Sequence, residues 1–446
     1  MSASATLGPT ALPALGPSRA ARRPATAERV LDSGLRVIAV RRAGVPLVEL
    51  RLRIPFAGRA AAHRARVSLL SSSMLLGTAG RSELDLAHAL QEVGTELAVS
   101  SDADRLLVGG AVLRSGLPVL LDLLADLLTA ASYPPALVDG ERQRLIEHVQ
   151  MAASQPDVIA RMARAKRLFG EHPYGQVLPA VDDVAELTAP ALRRLHRSRV
   201  QPGTSTLVLV GDLSPGRTVD AVERALAGWT SGAAPVTTAA LPRVDVGPIV
   251  LVDRPGSVQS SLRLAGGSCG RTDPGYPAMQ LANLVFGGYF SSRYVENIRE
   301  DKGYTYTPRS SINHSQAGSA FYVDADVSTN VTAPALLETR YELGRMATLA
   351  VGQQELDDAR QYALGNLALS TATQAGLAST LIGLAGHGLG LDWLATHRRA
   401  LLEVTVDDVL EQSHSYLAPA RLITVIVGDA AAVQSGLATL DQVEVG

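Results

Sequence analysis

The sequence is poor in cysteine and in net charge, and each shortage excludes a class of protein. Cys269 is the only cysteine, which rules out an internal disulfide and a zinc cage of thiolates and favours a reducing, cytoplasmic compartment. The 41 Lys and Arg residues are balanced by 43 Asp and Glu residues, so no basic field would attract nucleic acid or anionic lipid. No apolar run approaches the ~20 residues that a membrane-spanning helix needs. The composition therefore favours proteins or peptides as partners, with no nucleic acid and no membrane.

The length of the chain predicts two domains. At 446 residues it exceeds the size at which one hydrophobic core keeps growing, so domains of roughly 200 residues each are expected. Residues 1–27 are rich in Ala, Pro, Gly and Ser and lack the continuous apolar region of a secretory signal, which predicts a disordered tail. Residues 231–248 contain three prolines and little periodicity, which is typical of a linker. The predicted domains are residues 28–230 and 249–446.

The two predicted domains repeat one pattern. The segment Leu187–Pro215 parallels Val404–Ala432, because each has a Thr at a helix start, a short helix, a proline turn and an apolar strand that ends in Val-Gly-Asp. Upstream, Val45–Gly58 parallels Ser257–Gly270, and both read as a strand that leads into glycine. Strands and helices come in runs rather than in strict alternation, which predicts an α+β fold with mainly antiparallel sheets and helices on one face.

One predicted helix is unusually rich in serine. The stretch VSLLSSSMLLGT, Val67–Thr78, carries four serines and no base or metal ligand. Serine hydroxyls in a helix can donate to a carbonyl one turn earlier and need no other partner. The nine histidines of the chain show no pair at metal-ligand spacing. The sequence by itself therefore offers no metal site here.

A second segment, FGGYFSSRYVENIREDKGYTYTPRSS (Phe286–Ser311), combines a glycine turn, a short helix and a predicted strand. Ser291 or Ser292 is placed to begin the helix, and Gly303 to end it in a left-handed conformation. In a strand after that reversal, Tyr304 and Tyr306 would share one face. Arg299 in the last helical turn would then point to the same place as Tyr306.

The sequence resembles the pitrilysin (insulinase) family of zinc peptidases, to which mitochondrial processing peptidase also belongs. The likeness rests on FGEHPYGQVLP (Phe169–Pro179), the helix LRRLHRSRVQPG and the strand LVLVGDLSP that follow it, and it covers roughly residues 28–440. It implies two homologous α+β domains, each a mainly antiparallel sheet with helices on one face, which together form half of a clam-shell.

The resemblance also implies where a metal site has been lost. Catalytic members carry an inverted zinc motif, HxxEH, on a helix that runs into Gly-Thr, and those positions here are Ser68, Ser71 and Ser72. A further glutamate of the family's site matches His148, with Glu147 beside it. A single carboxylate cannot hold zinc. The resemblance therefore implies no metal in this chain and zinc in a partner subunit.

The second half of the chain keeps the family's other catalytic pair. In the family, an Arg and a Tyr at this spacing face the zinc site and hold the scissile carbonyl of the substrate, which assigns those roles to Arg299 and Tyr306. Gly287, Gly288 and Tyr304 are predicted to contact the substrate, although the two glycines are equally compatible with a simple turn at a helix entry. The alternative reading is an Arg that caps helix carbonyls and a Tyr in a strand, both of which are ordinary.

Two functions follow from these readings. The first is a zinc-less subunit of a heterodimeric metalloendopeptidase, inactive alone, whose partner is a zinc-binding subunit of the same family and whose substrate is a peptide. The second is a structural or peptide-binding homodimer without a catalytic role. An independent hydrolase lacks any supporting motif.

Overall fold

The computed structural model describes residues 23–230, 232 and 238–446. It contains two six-stranded sheets, one in each predicted domain. Of the predicted tail, residues 1–27, the part up to residue 22 lies outside the described residues. The first strand begins at Thr26, so the boundary of the tail at residue 27 is placed too late. Thr26 and Ala27 pair with Val40 and Ala39 of the next strand.

The first sheet has the order β1-β2-β6-β3-β5-β4. Only β2 and β6 are parallel neighbours, and the other pairs are antiparallel. Its strands are β1 (Thr26–Val30), β2 (Arg36–Arg41), β3 (Leu47–Pro55), β4 (Leu97–Ser101), β5 (Arg105–Leu113) and β6 (Thr206–Gly211).

The second sheet has the order β12-β7-β11-β8-β10-β9. Here β12 and β11 both run parallel to β7, and the other pairs are antiparallel. Its strands are β7 (Ile249–Asp253), β8 (Gln259–Ser268), β9 (Arg309–Ser315), β10 (Gly318–Ser328), β11 (Ile423–Gly428) and β12 (Val443–Val445). Both sheets are therefore mainly antiparallel, as the sequence predicts.

The internal repeat matches positions in the two sheets. The Val-Gly-Asp strand β6 lies between β2 and the long strand β3, and β11 lies in the same way between β7 and the long strand β8. All six residues of β6 and all six of β11 are buried. The repeated sequence thus forms the centre of each domain.

Sixteen α-helices lie within the described residues. They are α1 (His63–Ser73), α2 (Glu83–Glu92), α3 (Leu117–Ala130), α4 (Pro135–Ala153), α5 (Pro156–Phe169), α6 (Val181–Ala185), α7 (Ala189–Arg199), α8 (Pro215–Ala225), α9 (Tyr276–Asn283), α10 (Arg293–Val295), α11 (Thr332–Thr348), α12 (Gln353–Ser370), α13 (Gln374–Ala385), α14 (Leu391–Glu403), α15 (Val406–Tyr416) and α16 (Ala430–Leu437). No single one is long and apolar enough to cross a membrane; α12 and α13 meet that test only as a pair, and they are bent by 108° at their junction.

Each domain packs its own helices on one face of its sheet. In the first domain, Val37 and Ala39 of β2 point into the main core, while Ile38 and Val40 point to the opposite face because side chains alternate along a strand. In the second domain, Phe321 and Val323 of β10 enter the main core, and Ala320 and Tyr322 face the other way. A second apolar face therefore remains on each sheet.

A helix from the other domain covers each of these second faces. Leu377, Ala378, Leu381 and Ile382 of α13 pack against Ile38, Val40, Val208 and Val210 of the first sheet. Ala165, Leu168 and Phe169 of α5 pack against Ala265, Ala320, Ile423 and Val425 of the second sheet. Leu241 and Val244 of the predicted linker join the second of these clusters. The two domains are thus joined by a reciprocal exchange of helices.

Truncation of a fully buried side chain on α13 is expected to destabilise the first domain, although α13 belongs to the second. Leu381 is 0% exposed, and Leu→Ala at such a site typically lowers the free energy of unfolding by about 2–5 kcal/mol. Trp229 lies in the first core, and the only other tryptophan is Trp393. In a Trp393→Phe background, the fluorescence of Trp229 should therefore show an earlier urea midpoint for Leu381→Ala.

Leu369→Ala is the matched control, because Leu369 lies on neighbouring α12 and is 74% exposed. Its urea midpoint should stay close to that of the parent. An unshifted Trp229 transition in Leu381→Ala would show that α13 does not support the first sheet.

Candidate functional site

The segment that carries Arg299 is a short helix of changing pitch. Ser292 occupies its N-cap, but the hydroxyl of Ser292 is buried and makes no hydrogen bond among the described residues. Helix α10 continues into a π-helical turn, Glu296–Asp301, in which Ile298 is fully buried. Gly303 follows with φ of +65°, as the sequence predicts, and the amide of Gly303 donates to the carbonyl of Arg299 at 3.1 Å. The wide π turn sets the direction in which Arg299 leaves the backbone.

The structure brings Arg299 and Tyr306 together and adds a third side chain. The guanidinium carbon of Arg299 lies 4.8 Å from the centroid of the Tyr306 ring and 4.7 Å from that of the Phe290 ring. Both rings are largely exposed, Tyr306 at 77% and Phe290 at 64%. Cation–π contacts of this kind hold a guanidinium in place without using its N–H groups.

The N–H edge of Arg299 is left largely open. Among the described residues, its one carboxylate within ion-pair distance is Glu300, whose Oε1 lies 3.2 Å from Nε. The Glu300 side chain is 51% exposed and that of Arg299 is 27% exposed, so water weakens this pair. The two terminal nitrogens of Arg299 are available to a ligand oxygen.

Two partly buried contacts fix the helix that carries this arginine. Nε and Nη2 of Arg293 donate to the two carboxylate oxygens of Glu355 on α12 at 2.7 Å each. These hydrogen bonds lower the pKa of the Glu355 carboxyl and raise that of Arg293. The amide nitrogen of Asn297 donates to Glu342 of α11 at 2.9 Å, and Glu342 is only 2% exposed. The support of Arg299 therefore comes from two neighbouring helices.

The structure corrects the prediction for Tyr304. The residues from Gly303 to Pro308 form no strand, and β9 begins only at Arg309. Pro308 explains this, since a proline has no N–H to donate to a neighbouring strand. Tyr304 is half-buried and packs against the second core, whereas Tyr306 is exposed. The two tyrosines do not share a face of a strand, and the contact of Tyr304 with substrate stays a prediction.

The two predicted substrate-contacting glycines have a role within the domain. Gly287 and Gly288 end a π-helical turn, Leu284–Gly288. A Cβ on Gly287 would lie 2.9 Å from Oγ of Ser310, and one on Gly288 would lie 2.6 Å from the side-chain nitrogen of Asn283. Close packing against β9 and Asn283 thus accounts for both glycines, and their contact with substrate stays a prediction.

Phe290 is the member of the cluster that the sequence reasoning missed. The whole chain has five Phe residues, and two of them fall within the pentapeptide FGGYF. That local concentration of aromatic residues in an aromatic-poor chain is the signal that would have identified Phe290. Its exposure could not be read from the sequence, because an apolar residue beside a helix start is usually buried.

Two serines of the serine-rich helix α1 donate hydrogen bonds to carbonyls of the same helix. Ser71 donates to the carbonyl of Ser68 at 2.9 Å, and Ser72 donates to that of Leu69 at 3.2 Å. The hydroxyl of Ser71 also lies 3.1 Å from that of Ser101 on β4. The hydroxyls of Ser71 and Ser72 are thus satisfied by their own helix and the adjacent strand, whereas that of Ser73 is buried and makes no hydrogen bond among the described residues.

The residues at this place do not fit a zinc ion. Glu147 and His148 lie on α4 and are exposed, and Glu147 accepts from Gln143 of the same helix at 3.0 Å. Within residues 23–230, 232 and 238–446, no group of three or more His, Cys, Asp or Glu side chains could hold a metal ion. Serine hydroxyls are poor ligands for zinc, which takes thiolate, imidazole or carboxylate.

The fold is that of peptidases and peptidase-like proteins with two repeated α+β domains. A protease from Helicobacter pylori superposes with a TM-score of 0.84 at 17% identity, covering 91% of this chain and 100% of the other. A peptidase M16 inactive domain from Pseudomonas fluorescens superposes with a TM-score of 0.82 at 22% identity, covering 91% and 98%.

The sequence places the chain in one family. Residues 68–180 match the model described as insulinase (peptidase family M16), and residues 186–362 match the peptidase M16 inactive domain. The chain belongs to peptidase family M16.

Curated relatives agree with this placement. An uncharacterized zinc protease of Streptomyces coelicolor is 28% identical over 245 residues, 53% of each chain, so the alignment spans about half of that relative. An uncharacterized zinc protease of Mycobacterium tuberculosis is 27% identical over 346 residues, 76% of this chain and 78% of the other. A probable inactive metalloprotease of Bacillus subtilis is 25% identical over 211 residues, 45% of this chain and 48% of the other.

The isolated chain is expected to retain no stoichiometric zinc. After dialysis against zinc and then against metal-free buffer, metal analysis should find far less than one ion per chain, because serine replaces every ligand position of α1. A variant with Ser68→His, Ser72→His and His148→Glu places two imidazoles one helical turn apart and a carboxylate on α4, and should retain measurably more. One tightly held zinc per unmodified chain would contradict the expectation.

Proposed function

We propose that this chain is the zinc-less subunit of a heterodimeric metalloendopeptidase and that it presents Arg299 and Tyr306 to a peptide held at the zinc site of its partner. The partner would be a zinc-binding member of the same family, and the complex would be cytoplasmic. The observation that carries the proposal is the Arg299 guanidinium, held between two exposed rings with its terminal nitrogens open.

The chemistry of the pair suits a carbonyl that gains negative charge. A guanidinium and a phenol both donate hydrogen bonds, and neither must change its protonation state to do so. Donors that are already oriented stabilise the oxyanion of the transition state more than the neutral carbonyl of the substrate. The Phe290 and Tyr306 rings would supply that orientation.

Serine at the three positions of the zinc motif on α1 supports a metal that is held by another chain. The matching family models include one for an inactive domain, and one relative is named a probable inactive metalloprotease. These names support a chain without its own hydrolytic centre. The exposed position of the pair supports a partner, because a side chain that is 77% exposed, such as Tyr306, can meet a surface outside its own domain.

Removal of either donor is expected to slow the complex at the chemical step. With the zinc-binding partner present, Arg299→Ala or Tyr306→Phe should lower kcat about 100-fold, the usual effect of losing one oriented donor. KM should change much less, since the lost interaction belongs mainly to the transition state. Steady-state cleavage of a fluorogenic peptide by the reconstituted complex measures both.

Arg398→Ala and Tyr341→Phe are the matched controls, because both side chains are exposed and lie on other helices of the same domain. Their kcat should stay within about twofold of the parent. Unchanged turnover in Arg299→Ala and Tyr306→Phe would overturn the proposal and favour a noncatalytic homodimer.

Phe290 is expected to act by holding Arg299. An exposed cation–π contact contributes about 0.5–1 kcal/mol, and a desolvated one about 2 kcal/mol. Phe290→Ala should therefore lower kcat of the complex by roughly twofold to thirtyfold, while Phe290→Tyr should keep most of it. An equal loss in Phe290→Ala and Phe290→Tyr would show that the ring is not what supports the arginine.

A further inference from the structure

A crevice lies where the two domains meet, and it includes no part of the Arg299 segment. It consists of two adjoining hollows of about 390 Å³ and 500 Å³. The hollows share Arg105 of the first domain and Asn313, His314 and His387 of the second. Both domains therefore build this space, and nothing in the proposed function uses it.

The smaller hollow is lined by two arginines and by no carboxylate. Arg271 reaches it from the second domain and donates through Nη1 to the hydroxyl of Tyr276 at 3.3 Å. The guanidinium carbon of Arg271 lies 5.7 Å from the ring centroids of both Tyr276 and Trp393. No carboxylate of the described residues lies within ion-pair distance of Arg271. The charge of Arg271 is thus held by aromatic faces and is not neutralised.

Three histidines lie around Arg271 and add no charge. Burial, and next the charge of Arg271, lower the pKa of His314 to about 3 and that of His397 to about 4, and they lower the pKa of His387 as well. All three rings are therefore neutral at pH 7. Each neutral ring has one N–H donor, and the positive charge of the smaller hollow comes from arginine alone.

The larger hollow contains two further arginines that lack an acidic partner within the described residues. Arg53 is 7% exposed and Arg64 is half-buried, and the Nε of each is buried without a hydrogen bond. Nη2 of Arg53 donates to the side-chain oxygen of Gln316 at 2.8 Å, and its guanidinium lies against Gly386, where a Cβ would be 3.0 Å from Nε. Arg64 lies one helical turn before Ser68 on α1. Desolvation lowers the pKa of both arginines.

The two carboxylates beside these arginines are already engaged. Asp102 pairs with Arg105 at 2.9 Å. Asp104 accepts from the hydroxyl of Tyr174 at 2.8 Å and from the amide of Gln316 at 2.9 Å. Neither aspartate is within ion-pair distance of Arg53 or Arg64. Buried cations without a partner are unfavourable, and an anion that enters the hollow relieves this.

We propose that the interdomain crevice binds a small ligand with oxyanion groups, carboxylates or phosphates, through Arg53, Arg64 and Arg271. The planar fork of a guanidinium matches the oxygens of both groups. Gln316, Asn313 and the neutral histidines supply further polar contacts for the rest of the ligand. Because the crevice is shared by both domains, the ligand also strengthens their contact by mass action.

The same geometry also allows another interpretation, in which the arginines only stabilise the contact between the two domains. Arg53 lies beside the C-terminal end of α13, whose carbonyls carry partial negative charge. Arg271, however, lines the other hollow and is half-exposed. The experiment therefore uses Arg271, whose replacement leaves the packing of Arg53 intact.

Calorimetric titration of the full chain with inorganic pyrophosphate and, separately, with citrate tests the proposal. At fixed ionic strength, at least one of the two should bind saturably, and Arg271→Gln should weaken that binding about tenfold or more, since a charge-assisted hydrogen bond is lost. Arg194→Gln is the control, because Arg194 is exposed on α7 and removes the same charge far from the crevice. Its dissociation constant should stay within about twofold of the parent.

The two ligands separate the sources of the oxyanion. Binding of pyrophosphate alone identifies a phosphate site, and binding of citrate alone identifies a carboxylate site. Either result supports the proposal. No saturable binding of either, or equal affinities in Arg271→Gln and Arg194→Gln, would overturn it. If Arg271→Gln does not fold, Arg271→Lys keeps the charge without the fork and should still bind more weakly than the parent.

Discussion

The exchange of helices between the two domains is the constraint on which the rest of the structure depends. Each sheet buries one face beneath its own helices and the other beneath a helix from the opposite domain, α13 or α5. A sheet with two apolar faces cannot be stable in water until both are covered. Neither domain is therefore complete alone, and the crevice and the Arg299 segment both sit on a framework that needs the whole chain.

The two exchanged helices are held by different chemistry. The contact of α13 with the first sheet is made by aliphatic side chains, and Gln374 at the start of α13 donates to the carbonyls of Arg42 and Val45 beside that sheet. The contact of α5 with the second sheet also contains ions, because Arg164 pairs with Asp324 and lies over the Tyr322 ring at 4.3 Å. Arg263 of β8, which is 1% exposed, adds a pair with Asp157 of α5 at 3.2 Å.

Buried ion pairs contribute little net stability compared with apolar packing, but a misplaced helix would leave their charges unpaired. The aliphatic packing of α13 tolerates small shifts, whereas the hydrogen bonds of Gln374 and the ion pairs beneath α5 require defined positions. The polar contact thus defines how the domains sit on each other, and the crevice between them inherits that geometry.

Much of the fold could be predicted from the sequence because it is local. The periodicity of residues 353–370 predicts a helix, and α12 occupies that range. The repeated Val-Gly-Asp strands identify the centres of both sheets. The helix exchange could not be predicted, because the apolar face of α5 or α13 does not specify which sheet it will cover.

The site was predictable in part for the same reason. The reversal at Gly303 brings Arg299 near Tyr306, and this follows from a short stretch of chain. The alternation of Tyr304 to Thr307 imitates a strand, but Pro308 and the hydrogen bond from Thr305 to the carbonyl of Asp326 hold the segment in an irregular form. The anchors at Glu355 and Glu342 are far along the chain, so no local pattern could reveal them.

The contrast between the two domains bears on what the chain does. Ser71 and Ser72 of α1 donate to carbonyls of their own helix, so serine can stand at these positions without any compensating change elsewhere. Arg299 is different, since its place depends on a π turn, on Arg293 with Glu355 and on Asn297 with Glu342.

Such support is unnecessary for an arginine that only meets water, because an exposed guanidinium is well hydrated in any orientation. None of the three side chains in the cluster adds to the core, and both rings are mostly exposed. An arginine that is held by two helices and two rings, yet leaves its donors open, supports the proposal that its acceptor comes from outside the chain.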